Sequence, residues 1–144
     1  MFQKILVAYN ESRESRAALQ ACIRLAPGPQ ADVHLVGIMN MGTYLMAGEH
    51  VCEAMLAAEK GKVDSEVNAN HAILAAAGLN VIDHVCAGEP VAVISELVEK
   101  LGIELVIVGH ARSKPLAMRW WRGSADSILV EKIRCHVLLA ADAN

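Results

Sequence analysis

Two short stretches of this chain hold residues suited to binding phosphate: Val106-Ile107-Val108-Gly109-His110-Ala111-Arg112 and, a loop later, Arg122-Gly123-Ser124. An apolar run ending in glycine reads as a buried strand whose end a ligand can approach closely, because glycine has no side chain. Gly-Ser at the head of a helical pattern offers unpaired backbone N–H groups and a hydroxyl, where an anion is stabilised. Arg112, Lys114, Arg119 and Arg122 crowd the loop with no acid among them, which makes it either an anion site or a solvated loop. Each candidate also has a plainer reading. Gly109 can simply end a strand tightly, and Asn10 and Ser124 can cap the helices that follow them. His110 is either the titrating neighbour of a ligand or a solvated histidine. Trp120-Trp121 can stack on a base, form a partner patch or pack under the loop; packing or a subunit interface is the expected role.

Catalytic patterns are missing around these residues. The chain has no G-x-S-x-G elbow, no assembled Ser-His-Asp set, no acid pair at a strand end and no G-x-G-x-x-G after its first strand. Its six histidines lack H-x-x-x-H and H-E-x-x-H spacing, and Cys22, Cys52, Cys86 and Cys135 form no C-x-x-C pair, so no metal site is expected. The cysteines are expected as buried, reduced thiols.

The elements that must position the candidate residues alternate along the chain. Lys4 to Ala8 reads as a buried strand, ended by the cap-rich turn Tyr9-Asn10-Glu11-Ser12; an apolar helical face from Ala17 to Ala26 then stops at Pro27-Gly28-Pro29. A second strand from Val33 to Ile38 is followed by a Met- and Gly-rich loop and a helical pattern from about Val51 to Ala77, closed by Gly78. Leu79 to Cys86 is a third strand, less apolar and suited to a sheet edge. Pro90 starts the next helix and Gly102 ends it; Ile103 to Val108, Ser124 to Ile133 and Cys135 to Ala140 supply the fourth strand, the last helix and the fifth strand. Such alternation predicts a parallel sheet covered on both faces. The first and fourth strands are the most apolar and are expected side by side at its centre. Their ends then deliver Tyr9-Asn10 and Gly109-His110 to one crevice, flanked by Gly37-Ile38.

At 144 residues, with 54% hydrophobic, 3% aromatic and 20% charged residues, one α/β domain spanning 1–144 is expected, with an aliphatic core. A net charge of −3 argues against a nucleic-acid partner. No apolar run is long enough to span a bilayer, and Met1-Phe2-Gln3-Lys4 leads straight into a strand, so no membrane partner and a cytoplasmic location are expected.

Taken in order, these segments resemble the universal stress protein family across essentially the whole chain. Ile5-Leu6-Val7-Ala8 before Asn10-Glu11-Ser12 is similar to the family's opening I-L-V-P/A-x-D-x-S. Gly88-Glu89-Pro90 is similar to its G-x-P, Leu101 to Gly109 to its L-G-A-D-L-I-V-V-G, and Cys135-His136-Val137-Leu138-Leu139 to its closing C-P-V-L-V. The resemblance implies a single doubly wound α/β domain of the adenine nucleotide alpha-hydrolase-like type, with a five-stranded parallel sheet of order 3-2-1-4-5 and four helices. It implies a small stress-response module that binds ATP or AMP and forms a homodimer through its C-terminal strand. The family's ATP-binding branch carries G-x2-G-x9-G-[ST] after the fourth strand. Here Gly109 and Gly123-Ser124 fill the outer positions, Arg112 replaces the middle glycine, the loop is one residue longer, and Asn10 stands for the family's Asp.

By that resemblance Ala8, Asn10 and Gly37 line the adenosine side and Gly109, Arg112, Gly123 and Ser124 hold phosphates, with Tyr9, Val108 and Ala125 adjoining them. A glycine at 112 would admit phosphate to the backbone, whereas arginine, with Lys114 or Arg122, can bind it through a charged side chain instead. Two other readings stay open: slow nucleotide hydrolysis in the same crevice, with His110 as the nearest base, and a protein-interaction module built on Trp120-Trp121.

Overall fold

Five aliphatic runs pair as one parallel sheet in the computed structural model, which describes residues 2–9, 12–39, 53–110 and 129–141. The strands are β1 (Lys4–Tyr9), β2 (Asp32–Met39), β3 (Asn80–Ala87), β4 (Leu105–His110) and β5 (His136–Ala141), in the order β3-β2-β1-β4-β5. Between them run α1 (Ser12–Leu25), α2 (Glu53–Ala76) and α3 (Pro90–Leu101), and a four-residue helical segment, α4 (Leu129–Lys132), precedes β5. The expected architecture and strand order are therefore found. Of the helix expected from Ser124 to Ile133, residues 124–128 lie outside the described residues, and the observed helical turn ends at Lys132.

Strand alternation divides the core in two. Ile5, Val7, Val33, Leu35, Leu105 and Ile107 pack with Ala18, Leu19 and Cys22 of α1 and Val63, Val67 and Leu74 of α2. On the other face, Leu6, Ala8, Val36, Val106 and Val108 pack with Val91, Ile94, Leu97 and Val98 of α3 and with Ile133. The central strands β1 and β4 are apolar on both sides, so Ile5 to Ala8 and Val106 to Val108 are fully buried. As expected, β3 lies at an edge, and most of its residues are exposed or half-buried.

Helix ends explain where the strands begin. At the end of α2, Gly78 takes φ +86° and Leu79 N–H donates to the Leu74 carbonyl, so Leu79 belongs to the helix cap and β3 starts at Asn80. Gly102 closes α3 in the left-handed conformation, and Ile103 N–H donates to the Val98 carbonyl. Glu104 then turns back to β1: its N–H donates to the Lys4 carbonyl, and its carboxylate accepts from Gln3 N–H at 2.8 Å and Lys4 N–H at 3.0 Å. These bonds delay β4 to Leu105, two residues later than its apolar run suggests. The cysteines are also less uniform than expected. Cys22 is buried on α1, whereas Cys86 on the edge strand and Cys135 before β5 are half-buried; all three are free, and Cys52 lies outside the described residues.

Candidate functional site

Topology creates one crevice at the C-terminal ends of the strands. The chain leaves β1 through α1 to reach β2 on one side, and later arrives at β4 on the other side of β1. At such a reversal the two connections diverge and leave the ends of the paired strands uncovered. Register makes the arrangement specific: Ala8 pairs with Val108 across β1 and β4, and Tyr9 with Gly37 across β1 and β2. Gly109 pairs with Ala140 and His110 with Ala141 on β5. Ala8, Tyr9, Gly37, Val108 and Gly109 are thus brought together from three strands, as the sequence suggests. Asn10, Arg112, Gly123, Ser124 and Ala125 lie outside the described residues, as do Lys114, Arg119, Trp120, Trp121 and Arg122.

The floor of this crevice suits a flat, largely apolar group. Ala8 and Val108 are fully buried, and Gly37 and Gly109, also buried, add no side chain there. None of these four carries a titratable group. Beyond β4 the sequence carries Arg112, Lys114, Arg119 and Arg122, which lie outside the described residues.

A second depression competes for the role and has the wrong sign. A groove of about 390 Å³ runs along α3, lined by Glu89, Ser95, Glu96, Glu99 and Lys132 among others. Three carboxylates against one ammonium repel a phosphate group. Glu89 is moreover engaged in capping α3, accepting from Val91 N–H at 3.1 Å and Ala92 N–H at 2.9 Å.

Among the described residues, no titratable group with a displaced pKa lies on β1 or β4 at the crevice. Burial pushes the Cys22 thiol up to about 12, and burial also raises Cys86 and Cys135. Glu104, at the opposite, N-terminal end of the central strands, is held below its usual range by the Gln3 and Lys4 N–H groups. His34 and His84 are lowered, chiefly by burial. Their side chains meet across β2 and β3, a pairing that single-strand patterns do not reveal but that the parallel register would. Among the described residues no cluster of three or more His, Cys, Asp or Glu could hold a metal ion, and no helix is long and apolar enough to cross a membrane.

Comparison with known proteins extends this picture. No curated protein matches the sequence, but several solved structures share its fold over nearly the whole chain. The hypothetical protein MJ0577 is 20% identical, with a TM-score of 0.80 and coverage of 100% of this chain and 99% of that one. A universal stress protein in complex with cAMP is 16% identical, with a TM-score of 0.67 and coverage of 99% and 98%. A universal stress protein family protein from Arabidopsis thaliana with AMP bound is 12% identical, with a TM-score of 0.67 and coverage of 97% and 92%. The sequence model of the universal stress protein family matches residues 1–141. A match of that extent, on a sheet of the expected strand order, means that this chain belongs to the universal stress protein family.

Proposed function

We propose that this protein binds an adenine nucleotide, ATP or AMP, in the crevice beyond β1 and β4, and acts as a cytoplasmic, homodimeric regulatory module. The observation that carries the reading is the register that sets Tyr9 beside Gly37 and Ala8 beside Val108 at the strand-order reversal. The two similar folds held with cAMP and AMP support it. Ala8, Tyr9, Asn10, Gly37 and Val108 line the nucleoside side; Gly109, Arg112, Gly123, Ser124 and Ala125 take the phosphates. Arg112 supplies charge-assisted hydrogen bonds where the family's glycine would offer backbone N–H. The dimer forms through β5, whose outer edge has no strand neighbour among the described residues and which presents the exposed Leu139.

Isothermal calorimetry of ATP and AMP against the wild-type chain and Arg112→Gly tests the site. Wild-type binding that weakens in the glycine variant supports the side-chain role of Arg112. Binding by the variant alone means that Arg112 closes the crevice. Absence of binding by both at millimolar ATP overturns the nucleotide reading. Phosphate release in the same samples is expected to stay at background; turnover that vanishes in His110→Ala would instead favour a hydrolase. Sedimentation of Leu139→Lys, expected as a monomer, tests the dimer.

A further inference from the structure

His34 on β2 and His84 on β3 form a side-chain pair that the nucleotide reading does not use. His34 Nδ1 and His84 Nε2 stand 2.9 Å apart, and the rings stack with centroids at 5.1 Å and planes 30° apart. The register pairs His34 with Ile82 and Val36 with His84, so the imidazoles are diagonal neighbours on the α3 face of the sheet. His34 is 7% exposed, and His84 is half-buried. β3 is an edge strand whose one strand neighbour among the described residues is β2.

A gap of that length between two ring nitrogens needs one N–H and one lone pair. Two neutral rings satisfy it, and so does one imidazolium facing one imidazole. When both rings are protonated, two N–H groups confront each other and two like charges share a partly desolvated position. We propose that His34 and His84 form a proton-sensitive clasp, which fastens edge strand β3 to β2 at neutral pH and releases it when both rings are charged.

The surrounding charges are mixed. Asp32 on β2 favours a charged His34 while Lys4 on β1 opposes it; Asp83 on β3 favours a charged His84 while Lys100 on α3 opposes it. Cys86 lies further along β3, near Glu96 of α3. On the opposite face His71 of α2 meets Asp83 at 2.8 Å, so a protonated His71 faces a carboxylate and not a second imidazole. Burial prevails at both clasp residues and holds them below the usual 6.5. The released strand therefore takes up protons more readily than the fastened one. Pairing is insensitive to pH well above 6.5 and weakens as pH falls through 6.5 toward the folded-state values. Asn80 Nδ2, which donates to Asp32 Oδ1 at 2.8 Å, ties the start of the same two strands without an imidazole.

Amide hydrogen exchange of residues 80–87, corrected for intrinsic rates and compared with β1 and β4, tests the clasp in the full chain. Between pH 7.5 and 5, β3 protection is expected to fall by about tenfold or more in the wild type, because net uptake of one proton on release changes the equilibrium about tenfold per pH unit below 6.5. The fall should shrink in His84→Gln, where only His34 still titrates, and persist in His71→Gln. No fall in the wild type, an equal fall in His84→Gln, or loss of the fall in His71→Gln overturns the proposal. Should His84→Gln fail to fold, imidazole 15N titration of the wild type decides: the two rings must titrate below 6.5 and in step with the β3 amides. Independent titration at the ordinary value would overturn it.

Discussion

Removing the Glu89 side chain should cost more than removing any exposed carboxylate of α3. Helix N-termini leave N–H groups without intrahelical acceptors, and Glu89 satisfies two of them with its two oxygens, at 3.1 and 2.9 Å. Its backbone is extended, with φ −75° and ψ 129°, and Pro90 occupies the first helical position, where its missing N–H costs nothing. Loss of a side-chain N-cap costs about 0.5–2 kcal/mol, and the negative charge near the positive end of the helix dipole contributes about 0.3–1 kcal/mol. Two bonds together with the dipole place Glu89→Ala near the top of the first range, about 2 kcal/mol. For a domain of this size that corresponds to a fall in Tm of roughly 6 °C. Glu89→Gln keeps one carbonyl oxygen but turns an amide toward the second donor, so about half the loss, ~1 kcal/mol, is expected. Glu99→Ala, on an exposed face of the same helix, should stay within about 0.5 kcal/mol of wild type. Urea unfolding followed by circular dichroism measures all three. The capping argument fails if Glu89→Ala lies within about 0.5 kcal/mol of wild type, or if Glu99→Ala costs as much.

Other perturbations separate the remaining forces. Gly102 has φ +68°, and an added Cβ would meet nothing nearer than Lys4 Nζ at 3.8 Å, so Gly102→Ala should cost about 1 kcal/mol of backbone strain alone. At Gly88, φ is +145° and the Cβ would stand 3.1 Å from Val93 Cγ2; Gly88→Ala should cost about 2–3 kcal/mol, and equal urea midpoints for the two variants would contradict this. Ile107→Ala, at a fully buried position of β4, should cost about 2–5 kcal/mol by urea unfolding, a range set by how far the core relaxes into the space. The folded-state pKa of Glu104 is depressed, so its contribution is present above its unfolded value of 4.5 and is lost as pH falls through the folded value. Stability measured from pH 6 to 3 should therefore fall less steeply in Glu104→Gln than in wild type; parallel curves would remove Glu104 from the acid response.

Local patterns carried most of the architecture because each strand end is written in nearby residues. The aliphatic runs Ile5 to Ala8 and Val106 to Val108 have no polar alternation, and that is the mark of strands buried on both faces; they are the central pair. Gly78 and Gly102 stand where left-handed caps are needed, and both helices stop there. The strand starts at Asn80 and Leu105 were displaced by one or two residues because the N–H groups just before them serve other partners. Leu79 completes a helix cap and Glu104 reaches back about a hundred residues to β1, and hydrophobicity records neither obligation.

The crevice and the histidine clasp differ in legibility for the same physical reason. A crevice at a strand-order reversal follows from order alone, and the register then fixes which residues meet there, Tyr9 beside Gly37 and Ala8 beside Val108. The clasp exists only at one register. His34 and His84 sit near the middle of two strands of eight residues, and a slip by a single residue would turn one ring to the opposite face of the sheet. Their pairing also depends on β3 lying beside β2 at an edge, where one face is thinly covered. That is why His34 looks in sequence like one polar interruption of an apolar strand. In the fold it is buried, and His84 supplies its hydrogen-bond partner. A contact between two titratable groups makes the stability of this edge a function of pH.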